Sequence, residues 1–210
     1  RVLITAFHDW RELEGNIWRC RDNPSCRLIY GAPSASPPIE RSGPLVRALE
    51  RLRLAGVDFD FVTLPVLWST SAGLDLSRYD CVVHLGLGVY DSHSTLLLEE
   101  GAYNERRGAD AAGNVSGVVI DAGAPQVLAV APLSQLCRSL DGRQFEGFDL
   151  RVASARPQNV FICNETHHRA LKAVQGAEPG PARLRAAYFL HIPRALHDDH
   201  EVLASAVAAV

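Results

Sequence analysis

Several hallmarks of common protein classes are missing from this chain. No apolar run approaches the roughly 20 residues that a helix needs to span a bilayer, so we predict no transmembrane helix and no membrane partner. The formal net charge is only −3, and neither end carries an acidic or basic tail. Because a nucleic-acid-binding surface is usually strongly basic, we expect no nucleic-acid partner. Internal repeats and low-complexity segments are also absent.

Methionine is absent, and cysteine occurs at five positions. The chain begins at Arg1 with a strand-like segment, which we interpret as a removed leader or a trimmed sequence. Of the five cysteines, Cys20 and Cys26 flank a short loop and are close enough in sequence to form a disulfide. The alternative is that all five thiols are reduced, as in a cytoplasmic protein, with some of them filling core space.

The composition is that of a globular protein. Hydrophobic residues make up 47% and charged residues 21% of the 210 positions. A chain of this length buries about 70% of the surface that it exposes when unfolded. We therefore predict a single domain over residues 1–210, interrupted by an irregular insertion around residues 11–43, where no hydrophobic period persists.

Strand-like and helical patterns alternate along the rest of the chain. We predict strands at 2–7, 57–64, 79–87, 148–153 and 186–192, an extended segment at 125–131, and helices at 133–140, 165–174 and 199–210. A further helix is expected from Pro44, with Ser42 as its cap and Gly56 as its end. Residues 94–103 fit a strand or a short helix, and 105–117 fit a loop. The alternation predicts an α/β fold, a three-layer sandwich whose mostly parallel, twisted sheet has helices on both faces.

Cys163 is the strongest candidate for a reactive side chain. It lies where an apolar segment gives way to a predicted helix. Unpaired N–H groups and the helix dipole favour a thiolate at such a position, so we predict a pKa lowered toward neutrality. A nucleophilic cysteine also needs a histidine and often a carboxylate, and the chain offers His191 and Glu99. Cys163 and His191 both follow predicted strands, and ligands of open α/β sheets bind at that edge.

Short motifs surround these three residues and continue along the chain. Aromatic residues stand at both ends of Phe7-His8-Asp9-Trp10, and Glu99 comes five positions before Asn104. The remaining motifs are Val82-Val83-His84-Leu85-Gly86, Phe161-Ile162-Cys163-Asn164 and Phe189-Leu190-His191-Ile192-Pro193. In content, order and spacing the set resembles the pyroglutamyl-peptidase I family, cysteine peptidases that remove an N-terminal pyroglutamate.

The resemblance implies a role for each site residue. Cys163 would be the nucleophile, His191 the general base and Glu99 the orienting carboxylate, with the adjacent Glu100 as the alternative for that last role. Phe7 and Trp10 would line an apolar slot for the pyrrolidone ring of a peptide with a blocked N-terminus. The main-chain N–H near Cys163 would help to hold the oxyanion. The family works without a cofactor, is usually cytoplasmic and allows for a homo-oligomer.

The chain departs from the family pattern mainly where substrate would bind. Ala6 replaces a glycine, and Trp10 replaces a smaller aromatic residue. Gln158-Asn159 stands where Ala-Gly is usual, and Gly86-Leu87-Gly88 lacks the glutamine of many bacterial members. All three expected catalytic residues are present, whereas the residues expected to contact the substrate differ from the family pattern. The sequence thus predicts the chemistry, a cysteine exopeptidase or amidase, more firmly than the substrate.

Two other functions are compatible with parts of the sequence. The altered substrate positions would suit a member that has lost catalysis and acts as a ligand-binding or interaction module. The pairs His167-His168 and His197/His200 would suit a metal-dependent hydrolase, but no spacing matches a known zinc signature. We favour a solvated helix start at 197–200, capped by Asp198 or Asp199, and predict no metal.

Two cellular compartments are compatible with the sequence. The resemblance favours the cytoplasm, whereas a Cys20–Cys26 bridge and the missing methionine favour the periplasm or secretion.

Overall fold

The structure, a computed structural model, describes residues 1–10, 20, 23–31, 41–89, 91–176, 184–195 and 199–210. Its strands are β1 (Val2–Phe7), β2 (Phe59–Leu64), β3 (Cys81–Val89), β4 (Thr95–Glu99), β5 (Ala102–Tyr103), β6 (Arg106–Ala109), β7 (Val115–Val118), β8 (Val127–Leu128), β9 (Gln144–Phe145), β10 (Phe148–Ala153) and β11 (Ala186–Pro193). Its helices are α1 (Pro24–Tyr30), α2 (Pro44–Ala48), α3 (Glu50–Leu54), α4 (Ala131–Leu140), α5 (Ile162–Gln175) and α6 (His200–Ala209).

A seven-stranded mixed sheet forms the centre of the molecule. Its strand order is β2-β1-β3-β11-β4-β10-β9. The first four strands run parallel to one another, whereas β4 and β10 run parallel to each other but opposite to β11. The short β9 closes one edge in antiparallel pairing with β10. The mostly parallel sheet that the sequence predicted is therefore confirmed, with a change of direction between β11 and β4.

Helices cover both faces of this sheet. On β1, Ile4 and Ala6 point toward the layer of α1, α2 and α6, where they join a core of aliphatic side chains. Leu3 and Phe7 point the opposite way, toward the layer that contains α5. This alternation follows from the two-residue period of a strand, and because both faces are covered, both sets are apolar. The three-layer α/β/α prediction is confirmed.

The segment 11–43 is not irregular throughout, as the sequence analysis expected. The seven-residue helix α1 lies within it, with Asn23 as its N-cap and Pro24 in its first turn. The Asn23 side chain accepts a hydrogen bond from the Ser25 N–H at 3.0 Å. This helix start is predictable from the local sequence, since a capping residue followed by proline is a typical helix start. Residues 11–19, 21–22 and 32–40 of the predicted insertion lie outside the described residues.

Three other boundaries differ from the predictions. The helix from Pro44 is divided into α2 and α3, and its N-cap is Gly43, which has no side chain to cap with, instead of Ser42. Residues 105–117 contain an antiparallel hairpin of β6 and β7, not only a loop. The helix expected from residue 165 begins at Ile162, so Cys163 lies inside its first turn.

Cys20 and Cys26 are joined by a disulfide, with their Cα atoms 5.2 Å apart, within the usual range for such bonds. The structure therefore favours the bridge over five reduced thiols. Cys81, Cys137 and Cys163 are free. Every helix in the described ranges is too short or too polar to cross a membrane.

Candidate active site

His191 and Glu99 meet across two neighbouring strands. In the antiparallel pairing of β11 with β4, Glu99 lies opposite Phe189, two residues before His191. Alternate residues of a strand share a face, so His191 and Glu99 form a diagonal pair within reach of each other. His191 Nε2 lies 3.2 Å from Glu99 Oε1, and both side chains are buried. A carboxylate so placed fixes the orientation of an imidazole.

Glu100, the alternative to Glu99, is held elsewhere. Its carboxylate lies 3.0 Å from the Arg138 guanidinium and accepts a hydrogen bond from the Ser154 hydroxyl at 2.8 Å. Of the two neighbouring carboxylates, Glu99 is therefore the one that the fold brings to His191.

Cys163 is the second residue of α5, and Asn164 fastens this helix start to β5 and the residues that follow it. The Asn164 side chain accepts a hydrogen bond from the Tyr103 N–H at 2.8 Å and donates to the carbonyl groups of Tyr103 and Glu105. Phe161, the N-cap, makes no side-chain cap hydrogen bond. The N–H groups of the first turn have no partner within the helix, so they are available to an oxyanion beside Cys163.

Two glycines of β3 make room for the side chains of Cys163 and His191. A β-carbon at Gly86 would lie 2.8 Å from the Phe189 ring and 3.2 Å from Cys163 Sγ. A β-carbon at Gly88 would overlap His191 Nδ1 and lie 2.7 Å from its Cγ. Cys163 Sγ and His191 Nδ1 therefore lie over alternate residues of one strand. Nδ1 is buried without a hydrogen-bond partner among the described residues, which leaves it able to accept a proton.

The predicted low pKa of Cys163 is wrong. Burial, reinforced by the negative charge of Glu99, raises the pKa of this thiol to about 12, although a backbone hydrogen bond acts in the opposite direction. The sequence argument counted only the helix terminus, whose effect is outweighed here by desolvation of the charged form. The resting group is thus a neutral thiol, which would need a base to take its proton before it could act as a nucleophile.

The Cys163 side chain lines a cavity of about 320 Å³, whose walls are mainly aromatic and aliphatic. Phe7 and Trp10, both predicted to bind substrate, line this cavity. Phe7 is buried with its ring centroid 6.3 Å from that of Phe189, whereas Trp10 is 45% exposed and packs on Phe161 at 5.2 Å. The other lining residues are Asp9, Asn23, Val66, Leu87, Phe161, Ile162 and Arg194.

Trp68, which the sequence analysis did not select, supports the rim of this cavity. Its indole packs edge-on against Phe161 at 5.3 Å and donates to the Asn114 carbonyl at 2.9 Å. The Asp110 carboxylate accepts hydrogen bonds from the N–H groups of Trp68 and Asn114. Asp110 and Asn114 therefore build the loop that holds Phe161 in place.

Glu165 connects α5 to Ser69, the residue after Trp68. It accepts a hydrogen bond from the Ser69 N–H at 2.9 Å and lies within 3.0 Å of the guanidinium groups of Arg106 and Arg169. Ser69 has a positive φ of 60°, a conformation that this contact helps to maintain. Burial by itself would raise the pKa of Glu165, but the Ser69 N–H and the two arginines outweigh it and the pKa is lowered. Glu165 is thus a structural carboxylate.

Asn159 is a second residue that the sequence analysis noted only as a departure. Its side-chain amide donates a hydrogen bond to Glu99 Oε1 at 2.9 Å. Asn159 lies where the family that the sequence resembles has Ala-Gly, and here it is a direct hydrogen-bond partner of the Glu99 carboxylate.

The histidines that the sequence analysis considered as metal ligands do not converge on one position in the described part of the chain. His167 and His168 are buried in α5, and no group of three or more potential ligands is arranged around a metal position in the described part of the chain. His197 lies outside the described residues. Asp199 caps α6 by accepting a hydrogen bond from the Val202 N–H at 3.2 Å, as predicted.

The fold is shared with solved peptidases of one kind. Pyrrolidone carboxyl peptidase from Thermus thermophilus is similar over all of both chains, with 22% identity and a TM-score of 0.59. Pyroglutamyl peptidase I from Bacillus amyloliquefaciens covers 99% of this chain and 93% of its own, with 19% identity and a TM-score of 0.61. The pyrrolidone carboxyl peptidase of Fervidobacterium islandicum AW-1 covers 97% and 93%, with 19% identity and a TM-score of 0.58. No family model and no curated protein sequence matches the chain.

Proposed function

We propose that this protein is a cysteine peptidase that removes an N-terminal pyroglutamyl, or closely similar, residue from a peptide. The observation that carries the proposal is the buried His191–Glu99 pair, whose imidazole lies over Gly88, two residues along β3 from Gly86, which faces Cys163 Sγ. The structural likeness to pyrrolidone carboxyl peptidases supports the choice of substrate.

The reaction begins with proton transfer from a neutral thiol. His191 Nδ1 takes the Cys163 proton as Sγ attacks the carbonyl carbon, while Glu99 stabilises the imidazolium through Nε2. First-turn N–H groups of α5 stabilise the tetrahedral oxyanion. When the C–N bond breaks, His191 returns the proton to the leaving amine and a thioester remains on Cys163.

Hydrolysis of the thioester repeats these roles with water. His191 takes a proton from water, the hydroxyl attacks the thioester, and the S–C bond breaks. The proton returns to Sγ, so that the net reaction consumes one water and yields a free acid and a free amine.

A pyrrolidone ring fits the walls of the cavity. The ring has apolar methylene faces and a single amide edge, so aromatic and aliphatic side chains suit it. Phe7, Val66, Phe161 and Ile162 supply such a surface next to Cys163. A blocked N-terminus also carries no positive charge, which an apolar cavity would have to desolvate.

The direct test is release of a fluorophore from a pyroglutamyl amide. We expect turnover by the wild type and loss of at least about 1,000-fold of kcat in Cys163→Ala, because the covalent step is removed. Equal rates in the two proteins would refute the proposal. A wild type that binds pyroglutamyl amides without cleaving them would instead be a ligand-binding module.

Two adjacent carboxylates offer a matched comparison. Glu99→Gln removes the charge next to His191 and should lower kcat by about 100-fold or more, since the imidazolium loses its stabilising partner. Glu100→Gln changes the same group one position away, where it pairs with Arg138, and should leave kcat within about twofold. Similar losses in both variants would argue against a specific role for Glu99.

A further inference from the structure

Arg194 is a charged residue on the wall of the Cys163 cavity. It follows the end of β11, three positions after His191. Ile192 and Pro193 are buried, whereas Arg194 is exposed, so its guanidinium lies at the solvent side of the cavity. The strand exit is held in place by a hydrogen bond between His93 Nδ1 and the Arg194 carbonyl at 3.1 Å.

The Arg194 guanidinium has no carboxylate partner in the described part of the chain. Eight other arginines of the described residues pair with carboxylates, namely Arg1, Arg47, Arg53, Arg106, Arg107, Arg138, Arg169 and Arg185. Asp9, the acidic residue that lines the same cavity, is largely buried and accepts the Asn23 N–H at 2.6 Å. As far as the described residues show, no carboxylate pairs with the positive charge that Arg194 presents at the mouth of the cavity.

The position of the base decides which part of a substrate would meet Arg194. His191 must return a proton to the leaving nitrogen, so the leaving group lies on the His191 side of Cys163. Arg194 follows His191 by three positions and is an exposed part of the cavity wall, whereas Phe7 and Ile162 on the apolar walls are buried, so a leaving group that extends toward solvent passes Arg194. A planar guanidinium binds a carboxylate through two parallel hydrogen bonds and does not suit a cation.

We propose that Arg194 is a specificity-determining residue that selects substrates whose leaving group carries a carboxylate close to the scissile bond. The inference rests on the proposed peptidase function and adds the class of leaving group. The carboxylate has two sources, an acidic side chain on the residue after pyroglutamate or the terminal carboxylate of a single-residue leaving group.

The experiment compares three substrates whose leaving residues differ in the presence and position of a carboxylate. Pyroglutamyl-alanine amide is neutral, pyroglutamyl-alanine carries a terminal carboxylate, and pyroglutamyl-glutamate α-amide carries only a side-chain carboxylate. We expect kcat/KM for at least one anionic substrate to exceed that of the neutral one by about 10-fold at low salt, and the preference to shrink as salt is added. The anionic substrate that is preferred identifies the source.

Arg194 variants assign this preference to one side chain. Arg194→Gln should abolish the preference, so that its kcat/KM values for the three peptides lie within about twofold of one another, while Arg194→Lys should keep part of the preference, because charge persists without the bidentate geometry. A wild type that cleaves all three peptides equally, or an Arg194→Gln variant that keeps the preference, would overturn the inference.

A second measurement does not depend on the substrate. Iodoacetate and iodoacetamide alkylate the same Sγ and differ in one carboxylate. Relative to a free thiol, Arg194 should raise the ratio of the iodoacetate rate to the iodoacetamide rate at Cys163, and Arg194→Gln should lower that ratio several-fold. An unchanged ratio would contradict an anion-attracting role. Absence of peptide cleavage together with an Arg194-dependent ratio would refute the peptidase proposal while the anion site remains.

Discussion

Asn159 and His191 share one oxygen of Glu99. The Asn159 amide donates to Oε1 at 2.9 Å, and His191 Nε2 lies 3.2 Å from the same atom. The other carboxylate oxygen, Oε2, is buried without a hydrogen-bond partner among the described residues. The amide therefore limits rotation of the carboxylate and keeps Oε1 directed at the imidazole, which makes Asn159 a positioning residue in the proposed mechanism.

Replacement of Asn159 by alanine should lower kcat for a pyroglutamyl amide by about 10-fold with little change in KM, because a hydrogen bond to a charged group is worth about 1.5–3 kcal/mol. Asn159→Asp should be worse, since a second carboxylate repels Glu99. Steady-state kinetics with Gln158→Ala as the exposed neighbouring control will measure this. Equal kcat in Asn159→Ala and the control would exclude the positioning role.

The absence of a side chain at Gly88 should be a strict requirement for activity. Gly88→Ala would place a methyl group where His191 Nδ1 lies, so the ring must move. A misplacement of about 1 Å can cost about 100-fold in rate, and we expect at least that loss in kcat/KM. Gly117→Ala is the matched control, because a β-carbon there meets no atom within 4 Å. Activity retained within about twofold in Gly88→Ala would contradict this geometry.

The raised pKa of Cys163 makes a clear prediction for alkylation. Below a pKa of about 12, the thiolate fraction grows tenfold with each pH unit, so the iodoacetamide rate at Cys163 should rise steadily from about pH 7 to 9.5. The unfolded chain should instead level off above about pH 8.5, the ordinary value for cysteine. Peptide mapping by mass spectrometry separates Cys163 from Cys81 and Cys137. A plateau near neutral pH would indicate a resting thiolate.

Two buried histidines should make the protein sensitive to acid. Burial lowers the pKa of His84 and His167 to about 3, with neighbouring histidines adding to the effect at His167. Unfolded histidine titrates near about 6.5, so the unfolded state binds more protons between about pH 3 and 6.5 and stability falls as pH decreases through that window. Within it, each histidine contributes a slope of up to about 1.4 kcal/mol per pH unit.

His167→Phe tests this slope. The ring already packs edge-on against Phe189 at 6.0 Å, so phenylalanine removes the titration and keeps the aromatic contact. Urea unfolding at about pH 7, 6 and 5 should show a shallower loss of unfolding free energy in the variant, by about one proton. Parallel curves for the variant and the wild type would show that His167 does not titrate on unfolding.

The parts of the site that could be predicted from sequence depend on local order. The apolar run of β1, the helix start around Cys163 and the His191 motif are each readable from a few consecutive residues. Asn164 belongs to this group as well, because its place after Cys163 marks the helix start that it anchors. Asn23-Pro24 before α1 is a local signal of the same kind, because a capping residue and a proline together mark a helix start.

The remaining features depend on contacts between distant segments. The 3.2 Å separation of His191 and Glu99 follows from the register of β11 against β4, which no local pattern states. The same register and the neighbouring loop bring Asn159 to Glu99, and only the tertiary fold places Arg194 on a cavity wall shared with Cys163.

By itself, the sequence determined an α/β sandwich and pointed to three residues for the proposed chemistry, because strand and helix periods and short motifs are properties of neighbouring residues. The tertiary structure alone decided that Cys163 rests as a neutral thiol. Desolvation depends on everything packed around Sγ, and here it outweighs the helix terminus that the sequence reveals.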